Sequence, residues 1–277
     1  MSVATIPVTF RARYPRVTES DLVDPRVARA AWDAYRIHHG YAAGAPLLTP
    51  PSANLKLGKG NVPTYGWTMS PARTSGVNLC RASTRECRDL CLATAGNGRY
   101  DSTAAARILR ARFWLEHPAE CVSLLRDELL RARARHRDAW RVGIRWNVLS
   151  DIPWEICAPV LVEPIGRIRA YDYTKDWARV GTDRYTLTYS RSEITPDADV
   201  ITAVESGRNV AVAFSTARTR ALPRTYLGLP VIDGDTSDYR PGDRAGVIVG
   251  LRAKGRARMA RFRGGFVVDA NGPECAS

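Results

Sequence analysis

The stretch "RVGIRWNVLSDIPWEICAPVLVEPIGRIRAYDY", Arg141 to Tyr173, decides the fold class. RVGIRWNVL reads as a strand, IPWEICAPVLV as a helix, and GRIRAYDY as a second strand. Strands joined through a helix run parallel, because an antiparallel return needs only a tight turn. Working outward, the pattern continues on both sides. Upstream, PTYGWTM is a predicted strand; STAAARILRARFWLEH and AECVSLLRDELLRARARH are amphipathic helices split at Pro118. Downstream come strand RYTLTYS, helix ADVITAVESG, and strands RNVAVAF, LPVID and GVIVGL. Six or seven strands with intervening helices predict an α/β fold. The expected form is a (β/α) TIM-like barrel, complete or incomplete, over residues 54–277. No Gly-rich dinucleotide fingerprint follows the first strand, which argues against an open doubly wound sheet.

Residues 1–53 read as an N-terminal helical extension and linker. RVTESDLVDPRVARAAWDAYRIHHG predicts one helix, capped by Asp24 or a neighbour with Pro25 at its first position. YAAGAPLLTPPSAN reads as the linker, because Pro50 and Pro51 stop any helix. The opening MSVATIPVTFRARYPR has no apolar run of the secretory type, and no window approaches the roughly 18 apolar residues of a membrane span. The expectation is a cytoplasmic protein with no membrane partner. In a reducing compartment, clustered cysteines serve metal binding or catalysis rather than disulfides.

The 277 residues hold 41 Lys+Arg against 28 Asp+Glu, a formal charge of +13. Such an excess points to a polyanionic partner, nucleic acid first, with a small-molecule substrate as the other option. Two clusters carry much of it, LLRDELLRARARHRDAWR and GLRAKGRARMARFRGG. NLKLGKGN, residues 54–61, lacks the spacing of a phosphate loop and reads as an exposed basic loop.

In a barrel the chemistry sits at the C-terminal ends of the strands. The residues there are Asn147, Ser150 and Asp151, then Trp154 and Glu155; Asp172, Tyr173, Thr174 and Lys175; Ser190, Arg191, Ser192 and Glu193; Asp233 and Asp235; and Lys254. Asp151, Glu155, Asp172, Lys175, Asp233 and Asp235 are the candidates for proton transfer or nucleophilic attack. Asn147, Trp154, Tyr173, Ser190, Ser192 and Lys254 are candidates for holding substrate. The bland reading makes Asp233-Gly234-Asp235 a turn and Asp151 the cap of a helix beginning at Ile152. Trp67, Trp146, Trp154, Tyr171 and Tyr173 are the aromatic candidates for stacking an extruded base, with about half expected in the core.

"NLCRASTRECRDLCLATAGNG", Asn78 to Gly98, adds Cys80, Cys87 and Cys91 just after the first strand. Structural zinc wants four ligands, commonly from C-x2-C pairs, and neither spacing here matches. His117 is the nearest histidine, and its place before Pro118 suits a helix end. Three thiolates suit an iron–sulfur cluster with one iron left open. Radical S-adenosylmethionine enzymes place three cysteines at this topological position, although with C-x3-C-x2-C spacing. Iron–sulfur, zinc and no metal all stay open at this point. Cys121, Cys157 and Cys275 are scattered and read as structural.

SDIPWE, YDYTK, LTYSRSE, NVAVAF, VIDGD with Asp238 and Arg240, and VGLRAKGRAR follow in an order that resembles a family of uncharacterised phage and prophage proteins. The resemblance runs from about Asn54 to Val268. It includes a cysteine triplet like Cys80, Cys87 and Cys91, followed by residues like Leu92 and Gly96. The chain departs at Arg81, where a proline is usual, and at Trp146-Asn147-Val148, where smaller residues are common. The resemblance implies a phage context, hence the host cytoplasm, and no established activity. Three functions are then expected in order. The first is an iron–sulfur, radical S-adenosylmethionine-like enzyme modifying nucleic acid or a nucleotide precursor. The second is a zinc-bearing, transglycosylase-like base-modifying enzyme with an aspartate nucleophile. The third is a basic module that binds nucleic acid or a host protein, with a structural metal.

Overall fold

Alternation along the strands sorts two faces. Val142 and Ile144 are fully buried on one face of their strand, and Gly143 and Arg145 point to the other. A computed structural model describes residues 14–276 apart from 55–56, 140, 164 and 264. Its strands are β1 (Leu48–Thr49), β2 (Thr64–Trp67), β3 (Val142–Arg145), β4 (Ile168–Thr174), β5 (Tyr185–Ser190) and β6 (Asn209–Phe214). They continue with β7 (Thr225–Tyr226), β8 (Leu229–Asp233), β9 (Ile248–Arg252), β10 (Val267–Val268) and β11 (Cys275–Ala276). The helices are α1 (Pro25–His38), α2 (Arg85–Asp89), α3 (Asp101–Glu116), α4 (Pro118–Arg135), α5 (Trp154–Cys157), α6 (Pro159–Val162) and α7 (Asp197–Glu205).

The result is a mixed α/β fold on one mostly parallel sheet. Strands β2, β3, β4, β5, β6, β9 and β8 lie side by side in that order, each parallel to the next. From β2 to β6 the spatial order follows the chain without reversal, as winding in one direction produces. A doubly wound sheet would reverse near its middle. The sheet is nevertheless open. Pairing runs from antiparallel β1 at one end to antiparallel β7 and β11 at the other and does not return. The closure of a full TIM barrel is therefore not present among the described residues. β10 continues the sheet beside β6 where β5 has ended, pairing Val267 with Ala213 and Val268 with Phe214.

Local chemistry explains the helix limits. Asp24 accepts a hydrogen bond from the Arg26 N–H at 2.7 Å, and Pro25 opens α1. His117 closes α3, and Pro118 occupies the first position of α4. The expected single helix after β3 is two short ones, because Pro159 breaks it after Ala158. No regular helix separates β4 from β5; the crossover is the loop 175–184.

One core joins Trp32 of α1, Phe113 and Trp114 of α3, Leu124 and Leu125 of α4, Ile144 of β3, and Trp154. The expected linker is structured as well. Leu47 and Leu48 are buried, and their N–H groups donate to the Glu128 carboxylate at 3.1 and 2.8 Å. Arg29 closes on the same carboxylate at 2.5 Å. A second core lies between α7 and β5, β6 and β9, around Val200, Val212, Phe214 and Ile248. Among the described residues no helix is long and apolar enough to cross a membrane.

Candidate functional site

Because the central strands are parallel, their C-terminal ends meet at one edge. A cavity of about 260 Å³ opens there. Its wall takes Arg145 at the end of β3 and Asn147 after it, Tyr173 of β4 and Lys175 just beyond, Ser190 of β5 and Arg191 just beyond, and Leu251 to Lys254 across the end of β9. Ala211 and Ala213 of β6 leave the room. All three cysteines, Cys80, Cys87 and Cys91, line the opposite wall.

The cysteine loop is tied down at several points. The Thr84 hydroxyl caps α2 by accepting the Cys87 N–H at 3.2 Å. The same hydroxyl donates to Glu193 at 2.7 Å, and the Glu86 N–H donates to the other Glu193 oxygen at 3.0 Å. Burial pushes the Glu193 carboxyl up, but these hydrogen bonds, with Lys175 nearby, outweigh it and hold the group below the usual range. Glu86 in turn accepts the Phe266 N–H at 2.8 Å, fastening the loop to the segment before β10. The Cys80 sulfur accepts the Ala72 N–H at 3.3 Å, and its thiol reaches Leu149 O at 3.5 Å.

Burial pushes the Cys80 thiol up to about 12. The same desolvation raises Cys87, opposed by the Lys175 ammonium. Cys80 feels the charge of Cys87 and Cys91, and Cys87 that of Cys91. Among the described residues, however, no three His, Cys, Asp or Glu side chains are grouped as ligands of a single ion would be. His117 is remote from this wall: it packs on Phe113 and Tyr35 in the helical core.

Beside the cavity lies a buried polar network. Asp172 is fully buried and accepts three hydrogen bonds, from Asn147 N–H at 2.6 Å, Asn147 Nδ2 at 2.8 Å and the Tyr185 hydroxyl at 2.5 Å. Burial drives its carboxyl up to about 7, and the hydrogen bonds and Arg179 hold it from rising further. Arg179 is the hub: it meets Glu155 through two nitrogens at 2.8 Å each, Asp151 at 2.9 Å and the Tyr185 hydroxyl at 2.9 Å. Asp151 also accepts the Lys175 N–H at 2.9 Å. On the cavity side, Arg145 pairs with Asp238 at 2.9 Å and stacks over Tyr173, and the Tyr171 hydroxyl donates to Asp238 at 3.1 Å.

The sequence-derived candidates therefore divide. Cys80, Cys87, Cys91, Asn147, Asp151, Tyr173, Lys175, Ser190 and Lys254 line the cavity. Asp172 and Glu155 are not in its lining; they serve the network described above. Trp154 is a core residue against Trp114, with ring centroids 5.2 Å apart, so it is not placed to hold substrate. Ser192 is buried in the turn before α7, where its N–H donates to the Thr195 hydroxyl. Asp233 and Asp235 pair with Arg252, and Asp235 also meets Lys254 at 2.6 Å. The Asp235 N–H donates to Asp233, as the turn reading expects. Among the aromatic candidates, Trp67, Trp146 and Tyr171 are fully buried; Tyr173 alone of the five lines the cavity. Of the basic loop 54–61, residues 55 and 56 lie outside the described residues. Sequence reasoning misses Arg145 and Arg179, although an arginine inside the apolar run RVGIRW is a visible signal, whereas Arg191, expected at a strand end, lines the cavity.

The profile of the family described as Gene product 88 matches residues 46–265. The chain belongs to the Gene product 88 family. That phage-type match spans β1 to β9, the cysteine loop and all the cavity residues named above except Phe266. No curated protein and no solved structure matches the chain.

Proposed function

We propose that the protein is a phage metalloenzyme holding an iron–sulfur cluster on Cys80, Cys87 and Cys91, with nucleic acid or a nucleotide precursor as substrate. One observation carries this: three thiols and the Lys175 ammonium face one cavity at the C-terminal edge of a parallel sheet. Among the described residues, the cavity lining holds no histidine and no fourth cysteine. That composition favours a cluster, which meets its thiolates at separate irons, over a four-ligand zinc site. Cys80, Cys87 and Cys91 would hold the cluster, which when bound would supply electrons for chemistry on S-adenosylmethionine. The chain's own residues do the rest. Lys175, whose charge reaches both Cys87 and Glu193, moves protons at its Nζ. Tyr173, held flat by Arg145, offers a stacking face, and Ser190 and Asn147 offer polar contacts. The transglycosylase alternative finds less support, because Asp151, Asp172, Asp233 and Asp235 are each engaged by arginine, lysine or hydrogen-bond donors.

The test is metal and sulfide analysis of anaerobically purified protein, with Cys87→Ala and Cys157→Ala beside the wild type. Iron and sulfide lost only in Cys87→Ala is the expected result. One equivalent of zinc without iron returns the zinc reading, and absence of both overturns the metalloenzyme. Nucleoside mass spectrometry of phage DNA and host RNA, with the wild-type gene and with Cys87→Ala, then identifies the substrate. Identical profiles count against nucleic acid.

A further inference from the structure

A second cavity, of about 450 Å³, adjoins the cysteine cavity and shares Arg252, Ala253 and Lys254 with it. Lys59, Arg218, Arg252, Lys254 and Arg258 line it against only two carboxylates, Asp233 and Asp235, a surplus of three positive charges. The carboxylates are already engaged by Arg252 and Lys254. Burial raises Asp235, but the Lys254 and Arg252 contacts outweigh it and keep the group ionised below the usual range. Lys59 donates to the backbone oxygen of Asp235 at 2.7 Å, and Arg258 reaches the backbone oxygen of Ala253 at 3.4 Å. Neither contact cancels a charge. Arg218 and Arg258 are exposed at the rim.

Three separate segments supply these cations: the loop before β2, the loop after β6 and the turn after β9. Like charges brought together by independent segments repel, unless an anion sits between them. Guanidinium forks match the oxygens of a phosphate in charge and geometry.

We propose that this second cavity binds the phosphate of the substrate while the base or sugar reaches the cysteine cavity across Arg252 and Lys254. The inference rests on the nucleic-acid or nucleotide reading above and narrows it to a phosphorylated substrate. The two sources of such a phosphate, a free nucleotide and a nucleic-acid backbone, present the same chemistry to these residues.

The test measures binding to the full chain of three probes: deoxyguanosine, deoxyguanosine 5′-monophosphate, and a labelled single strand of about 12 nucleotides. Arg218→Ala with Arg258→Ala is expected to weaken the phosphorylated probe by tenfold or more, on the order of one charged hydrogen bond per arginine. Deoxyguanosine should be unaffected. Loss on the monophosphate assigns the free nucleotide as the source; loss on the single strand alone assigns the backbone. Asp233→Asn, which removes a negative charge and frees Arg252 of that partner, should tighten binding. The paired control Arg131→Ala with Arg135→Ala on α4 should change nothing. Equal affinities in wild type and the Arg218/Arg258 variant overturn the subsite. Metal analysis of the wild type separates the two proposals: phosphate binding in a wild-type protein that holds neither iron nor zinc leaves the subsite standing and removes the metalloenzyme.

Discussion

Replacing Asp172 by asparagine turns the buried network into a measurement. Asp172 rises from an ordinary 3.8 to about 7 because burial penalises its charge. A folded-state value raised above the unfolded one gives stability that is fully present below about pH 4 and is lost as pH climbs through about 7. About three pH units at roughly 1.4 kcal/mol each give a loss of about 4 kcal/mol. The amide in Asp172→Asn cannot ionise, so the variant escapes that loss. The assay is urea unfolding of both proteins at a series of pH values from about 4 to 8. Every other group titrates alike in the two proteins, so the stability gap isolates Asp172. Wild type should lose about 4 kcal/mol relative to Asp172→Asn between about pH 4 and pH 7. A gap constant within about 0.5 kcal/mol would show that Asp172 stays ionised throughout and that its three donors fully offset burial.

Arg179→Met should cost about 2–4 kcal/mol in the same unfolding assay, because it leaves the half-buried Asp151 and Glu155 without their cation; a loss under about 1 kcal/mol contradicts the hub. Trp154→Ala should cost about 3–5 kcal/mol with the cysteine cavity unchanged, since the ring packs in the core. Glu193→Ala should release the cysteine loop, read as faster protease cleavage between residues 80 and 91, with little change in global unfolding; equal cleavage rates refute the latch.

Which parts of this are legible follows from what sequence signals encode. The Asp24 cap, the break at Pro118 and the strand cores are local, and each appears where the sequence places it. The convergence of Cys80, Cys87 and Cys91 with Lys175 is within reach, because parallel strands bring their C-terminal ends together. The strand-end rule misplaces Asp172 for a reason visible in the sequence. Parity sets it with Ile168, Ala170 and Thr174 on one face of β4, and Tyr171 and Tyr173 on the other. Alternation, and not position at a strand end, decides where its carboxylate goes. Arg179 is less accessible. It lies in a loop with no period, and its partners come from residues 151, 155 and 185, so only the fold joins them.

The same distinction governs the +13 charge. An arginine draws in a polyanion only where its charge is not already met. On α4, Arg131 pairs with Asp127 at 2.9 Å. Arg145 and Arg179 are buried in ion pairs. Arg218 and Arg258, by contrast, are exposed and line the second cavity, and Arg256, Arg261 and Arg263 are exposed in the segment that follows β9. Under the proposed reading, nucleic-acid affinity belongs to this rim and not to the α4 run. Each phosphate contact removed should flatten the plot of log affinity against log salt by about 0.7 for a single strand. Arg218→Ala with Arg258→Ala should therefore reduce the slope by about 1.4, and Arg131→Ala with Arg135→Ala should leave it unchanged. If the α4 pair instead carries the salt dependence, the approach to the cavity lies across α4, and the rim arginines have another purpose.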